Sequence, residues 1–205
     1  MRRAPVQERS TVRVQRMLDA CGELIDELGY EAITTTLIAR RAGVSVGSLY
    51  QFFPDKRAVV QALARRNMES FMGRLEEILL ARQRADWRKA LHAAFDLFVE
   101  LHRVIPGFRV VRFGDIVDTH LLEPEQDNDY VFVGRMVGLL ATYFEQAPDK
   151  DLRAALVVLV KALDAVTRYA FREREGDAAV LAEARILMDV YLAHHLRTRG
   201  LTPTW

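Results

Sequence analysis

Two helical patterns meet with almost nothing between them at Ala42-Gly43-Val44-Ser45, inside the stretch TTTLIARRAGVSVGSLYQFFPDK from Thr34 to Lys56. That junction constrains the fold more than any other feature, because two helices joined so tightly must cross and pack at once. Gly43 suits the left-handed residue that ends a helix, and Val44 suits the hydrophobic contact that follows such an end. Ser45 suits the N-cap of the next helix, and Ala42 is small enough to let the two cross closely. In the second segment Leu49 and Phe53, spaced i and i+4, form the inward face. The other face reads Val46, Gly47, Ser48, Tyr50 and Gln51, which is small, uncharged and poorly suited to a core. A helix that opens on Ser45-Val46-Gly47-Ser48 is built for something outside the chain to come close.

The rest of the chain extends the helical reading. Val14, Met17, Leu18, Cys21, Leu24, Ile25 and Leu28 recur at three- and four-residue steps, which predicts a helix over 11–28, capped by Ser10 or Thr11 and ended by Gly29. Thr34-Thr35-Thr36 supplies candidate N-caps for a short helix carrying Leu37, Ile38 and Ala42. Further helices are expected over 56–81, 86–102, 128–146, 150–174 and 177–197, with a broken piece around 107–117. Breaks fall at Pro106-Gly107, at the polar loop 123–127, at Pro148 and at Gly176. No segment alternates convincingly, although 109–113 is locally ambiguous. The fold class is therefore all-α: a three-helix, helix-turn-helix domain at 1–55 and a helical body at 56–205.

Charge sharpens this division. Residues 1–66 carry 11 Lys and Arg against seven Asp and Glu, a net +4, whereas residues 67–205 carry 18 against 21, a net −3. A basic head on an acidic body points to a polyanion at the head alone. The single cysteine, Cys21, rules out an internal disulfide and lies on the apolar side of its helix, as a buried structural thiol would. No apolar run reaches the length of a membrane span, and MRRAPVQERS carries no signal-peptide core, so a cytoplasmic protein without membrane partners is expected.

A helix-turn-helix places its second helix in a DNA major groove. Small residues at the start of that helix allow close approach to the base edges. Ser48 and Gln51 supply polar groups, Val46 a methyl surface for thymine, and Tyr50 a hydroxyl for a phosphate oxygen. Lys56 opposes the dipole of the helix it begins, yet its ammonium and the adjacent N–H groups together suit a phosphate. The segment from Thr34 to Lys56 resembles the DNA-binding region of tetracycline-repressor (TetR) family transcription regulators. Thr35, Ile38-Ala39, Ala42-Gly43-Val44-Ser45, Gly47-Ser48-Leu49-Tyr50, Phe53 and Asp55-Lys56 carry the resemblance. It implies DNA contacts at Thr35, Ser45, Val46, Gly47, Ser48, Tyr50, Gln51 and Lys56. Two residues depart from the family pattern: Phe52 stands where tyrosine or histidine is common, and Val46 where a polar or basic residue is common. Arg2 and Arg3 read equally as a DNA-touching arm or as a solvated tail.

In the body, Tyr130 to Leu140 is apolar almost all round, as in a helix covered on several sides. Trp87, Phe95, Phe98, Phe108, Phe113, Tyr130 and Met136 are candidates to line a cavity for a small, largely apolar effector, with core packing the competing account. The five histidines have no metal-ligand spacing, no nucleophile–base signature is present, and neither a metal nor a cofactor is expected. The last two amphipathic helices, about 151–197, pack within the chain and, by the resemblance, form a homodimer interface. The expected function is a ligand-responsive regulator, a repressor by preference, that binds a pseudo-palindromic operator as a homodimer and is released by its effector. An effector-independent activator or architectural protein, and an enzyme on an all-α body, are the alternatives at this point.

Overall fold

The computed structural model describes residues 4–81, 87–108, 128–144, 149–171 and 176–197. Among them are eight helices and no strand. They are α1 (Ala4–Leu28), α2 (Thr35–Arg41), α3 (Val46–Tyr50) and α4 (Lys56–Leu80), followed by α5 (Trp87–Val104), α6 (Asn128–Phe144), α7 (Lys150–Ala170) and α8 (Ala178–Arg197). By compactness the chain forms two units, one within Met1–Met68 and Ile105–Asn128, the other within Glu69–Val104 and Asp129–Trp205. The α4 helix runs from the first into the second.

The start of α1 departs from expectation. The helix begins at Ala4, so Ser10 and Thr11 lie inside it rather than capping it. Apolar periodicity begins only at Val14, whereas Pro5 already fits a first helical turn, where no N–H is needed. At its other end Gly29 takes φ 78° and donates to Ile25 O at 2.9 Å, ending α1 as expected.

Each of the next three helices starts on a side chain that satisfies otherwise unpaired N–H groups. Thr34 Oγ1 accepts from Leu37 N at 3.2 Å, Ser45 Oγ from Ser48 N at 3.1 Å, and an Asp55 carboxylate oxygen from Ala58 N at 2.8 Å. Caps of this kind each contribute about 1 kcal/mol. The first unit then buries Met17, Cys21, Ile25, Ile33, Ile38, Leu49, Val59 and Leu63 almost completely. A fully buried Leu, Ile or Met side chain gains roughly 1.5–3 kcal/mol over an exposed one, so this core holds the short α2 and α3 that could not persist alone. Burial also pushes the Cys21 thiol up to about 12, which keeps it protonated and inert at neutral pH.

In the second unit Asp149 caps α7 by accepting from Leu152 N at 2.7 Å, and Asp177 accepts from Ala179 N at 2.9 Å to begin α8. These two helices pack on each other through Leu156, Leu159 and Ala170 of α7 and Leu181, Ala184, Met188 and Leu192 of α8.

Candidate nucleic-acid interface

The turn between α2 and α3 is built as its sequence suggests. Gly43 sits at φ 66° and donates to Arg40 O at 3.2 Å, while Val44 donates to Ala39 O at 3.0 Å. This paired arrangement closes the end of α2 and leaves Val44 two residues from the N-terminus of α3. Leu49 is fully buried and Phe53 nearly so, which turns the opposite face of α3 outward.

On that outward face lie Ser45, Val46, Gly47, Tyr50 and Gln51, all exposed, with Ser48 half-buried. Val46 is 36% exposed and Tyr50 52%, and both are large apolar surfaces that a chain normally covers. A Cβ built on Gly47 would meet nothing within 4 Å, and no positive φ is recorded there. Among the described residues nothing requires glycine at this helical position.

The flanking candidates are also placed around α3. The Thr35 and Tyr50 hydroxyls, from the first residue of α2 and the last of α3, meet at 3.0 Å. Lys56 is tied inward: its Nζ donates to Tyr30 O at 3.0 Å and to Glu31 O at 3.4 Å, and lies 4.5 Å from the Tyr30 ring centroid. An ammonium has three N–H groups, so two carbonyls leave one for a phosphate oxygen. Behind this surface Arg41 fixes α2 to α1 through Glu27 at 2.7 Å and Glu23 at 3.2 Å. Arg2 and Arg3 lie outside the described residues.

The effector candidates do not converge as a set. Phe98 is buried in a run of rings in the second unit: Phe71 at 6.0 Å, His102 at 4.3 Å, then Phe171 stacked on His102 at 5.3 Å, with Phe132 at 5.8 Å from Phe71. Phe71, His102 and Phe132 lie on three different helices and Phe171 caps the end of a fourth, so their adjacency leaves no local signal in the sequence. Phe95 is buried beneath the Arg185 guanidinium at 5.5 Å. Phe108 is buried in the first unit, Met136 is half-buried on α6, and Tyr130 is 60% exposed. Phe113 and the side chain of Trp87 lie outside the described residues. Thr167, wholly buried on α7, has a hydroxyl with no hydrogen-bond partner among the described residues. A separate open groove of about 490 Å³ lies between α5 and α8, lined by Asp96, Glu100, Arg103, Leu181 and Arg185. Among the described residues no group of three or more His, Cys, Asp or Glu is placed to hold a metal, and no helix is long and apolar enough to cross a membrane.

Comparison with known proteins agrees with this geometry. Residues 17–63 match the family model for bacterial regulatory proteins of the tetR family, and residues 85–196 match the tetracyclin repressor-like C-terminal domain. Over 54 residues the chain is 48% identical to the HTH-type transcriptional repressor KstR of Rhodococcus jostii (strain RHA1), a match covering 26% of each protein. The chain thus spans only about a quarter of the length of KstR. A TetR-family transcriptional regulator from Streptomyces coelicolor superposes with TM-score 0.77 at 36% identity, covering 91% of this chain and 99% of that one. FadR from Bacillus subtilis, solved with stearoyl-CoA, shares the fold at TM-score 0.70 and 19% identity, over 87% and 97% of the two chains. With both halves matched by their own family models and a relative aligned along nearly its whole length, the chain belongs to the TetR family of bacterial transcriptional regulators.

Proposed function

We propose that this regulator is a ligand-responsive repressor that binds a pseudo-palindromic operator as a homodimer and leaves it when a small effector binds. Residues 1–55 act as the DNA-binding head and 56–205 as the effector-binding and dimerisation body. The observation that carries the DNA reading is the outward face of α3, where Val46 and Tyr50 stay exposed beside a glycine that nothing among the described residues requires. In this reading Val46, Gly47, Ser48 and Gln51 face base edges, while Thr35, Ser45, Tyr50 and Lys56 hold the phosphates.

The effector reading rests on the second unit. Its run of buried rings offers an apolar wall, and the Thr167 hydroxyl, which has no hydrogen-bond partner among the described residues, offers a hydrogen bond to a ligand's polar group. FadR of Bacillus subtilis holds stearoyl-CoA on the same fold, an apolar chain of the kind such a wall would accept. Release requires that the effector bind the DNA-incompetent arrangement more tightly than the DNA-bound one. The α4 helix begins at the Asp55 cap and continues into the unit that holds Phe71, so it is the element through which the two sites would be coupled.

Selection from randomised duplexes should return a pseudo-palindrome, bound with an affinity that falls steeply with salt. Tyr50→Ala is expected to weaken that complex at least about tenfold, on the scale of a lost contact of 1–3 kcal/mol. Unchanged operator affinity in Tyr50→Ala would refute the docking. A panel of lipophilic compounds added to the complex tests release, and a complex that none of them shifts would favour the effector-independent regulator.

A further inference from the structure

The buried face of α7 changes character along its length. It begins apolar, with Ala155, Leu156 and Leu159, and turns polar at Asp164 and Thr167 before Ala170 and the C-cap Phe171 close it. Asp164 is 4% exposed and Thr167 not at all. At steps of three and four residues, Asp164, Thr167 and Phe171 share one side of the helix, each about one turn from the next. Leucine or valine at either polar position would continue the apolar face. A carboxylate or an unbonded hydroxyl placed there weakens the fold instead. Thr167 Oγ1 has no hydrogen-bond partner among the described residues, which points to a group that arrives from outside the chain.

The charges around this pair are ordered from inside to outside. The Asp164 carboxylate lies inside. Its ion-pair partner Arg168, one turn on and 3.2 Å from Oδ2, keeps 37% of its side chain exposed. Arg103 is exposed, with its guanidinium 5.9 Å from the Phe171 ring centroid. Beyond the pair come the rings, Phe171 stacked on His102 at 5.3 Å and His102 edge-on to Phe98 at 4.3 Å. All of these residues belong to the second unit. A molecule reaching the inner end meets a carboxylate, which when ionised only accepts hydrogen bonds, then a hydroxyl, then aromatic faces. A cationic donor suits all three, whereas an acid or phosphate would be set against a like charge.

We infer that Asp164 and Thr167 hold the polar head of this regulator's effector, and that the head is a protonated amine on an apolar body. The ammonium replaces the Arg168 guanidinium on Asp164, so the carboxylate stays paired, and it donates a second hydrogen bond to Thr167 Oγ1. The apolar body lies along Phe171, His102 and Phe98, and Arg168 turns into water. This rests on the effector reading proposed above and deepens it, because it fixes the sign of the head that the ring wall leaves open.

Three probes of one chain length test it: decylamine, decanol and decanoate, each titrated calorimetrically into the full-length protein below its micelle concentration. Decylamine, an ammonium at neutral pH, should bind at least about tenfold more tightly than decanol, the scale of one hydrogen bond to a charged group. Decanoate should bind more weakly than either, and decylamine should release the operator. Asp164→Asn should remove the amine's advantage and leave decanol binding unchanged, which also shows that the variant folds. Thr167→Val, which keeps the side chain's shape, should weaken the amine more than it weakens decanol. Arg168→Gln separates a binding role from a structural one. If the Asp164–Arg168 pair only holds α7 together, this variant loses stability and binds decylamine as before. If the ammonium has to displace the guanidinium, the variant binds decylamine more tightly. An amine bound no better than the alcohol, an advantage that survives Asp164→Asn, or an unchanged affinity in Arg168→Gln would overturn the assignment while the effector reading stands on whichever probe binds. Binding by none of the three would overturn the assignment as well. The effector reading falls with it only if the wider lipophilic panel also leaves the operator complex intact.

Discussion

Gly47 and Gly22 are both helical glycines, and they are expected to answer the same substitution with opposite signs. At Gly47 a methyl group meets no neighbour within 4 Å. Glycine inside a helix costs about 0.5–1 kcal/mol relative to alanine, so Gly47→Ala should raise the unfolding free energy by a comparable amount, read as a higher urea midpoint. Operator affinity should fall, because the new methyl stands on the face that approaches the base edges. A variant that is more stable and still binds operator at full strength would show that DNA does not come close to this residue. At Gly22 a Cβ would sit 2.5 Å from the carbonyl oxygen of Pro106, a backbone atom that cannot swing aside. Gly22→Ala should therefore destabilise the protein by roughly 1–3 kcal/mol, an overpacking cost larger than its helix-propensity gain. Equilibrium denaturation reads this directly, and a gain in stability would mean that residues 105–108 are not held against α1.

Elements explain why so much was legible and where legibility ended. An amphipathic helix repeats its apolar residues along the chain, so α1, α2, α5, α7 and α8 could be read from sequence, as could the Gly43 turn. Their caps are local as well: Thr34, Ser45 and Asp55 accept from N–H groups three residues away. The misread boundaries lack that local signal. Without apolar periodicity before Val14, the first ten residues of α1 were only partly visible, and α7 ends at Ala170 although a helical pattern continues past it. Contacts between distant segments left no trace at all. Pro106-Gly107 could be recognised as a break, but not the hydrogen bond from Gly107 N to Asp26 at 2.9 Å that seats it against α1. Lys56 was placed correctly at a helix start, yet its grip on the Tyr30 carbonyl depends on a loop 26 residues earlier. The ring run from Phe71 to Phe171 belongs to the same class.

For the whole molecule, DNA affinity depends on how many heads act together. Two heads bound to one pseudo-palindrome release roughly twice the counterions of one, and the second binds at the effective concentration set by the first. The seam that would join them carries Ile186, Leu187 and Val190 on α8, and α7 adds the exposed Val157, Val158 and Tyr169. Val190 is the most exposed of these six side chains. In a monomer a glutamate at this position stays in water and leaves the fold intact. In a dimer it buries an unpaired carboxylate twice, at several kcal/mol in all. Val190→Glu is therefore expected to keep its helical circular dichroism and melt cooperatively, but to sediment as a monomer at micromolar concentration. Its operator complex should weaken by about a hundredfold or more, with a salt slope near half that of the wild type. Dimers that persist in Val190→Glu would move the interface off α8. A monomer that retains full affinity and slope would mean that one head suffices for operator binding, and the link between dimerisation and repression would fail with it.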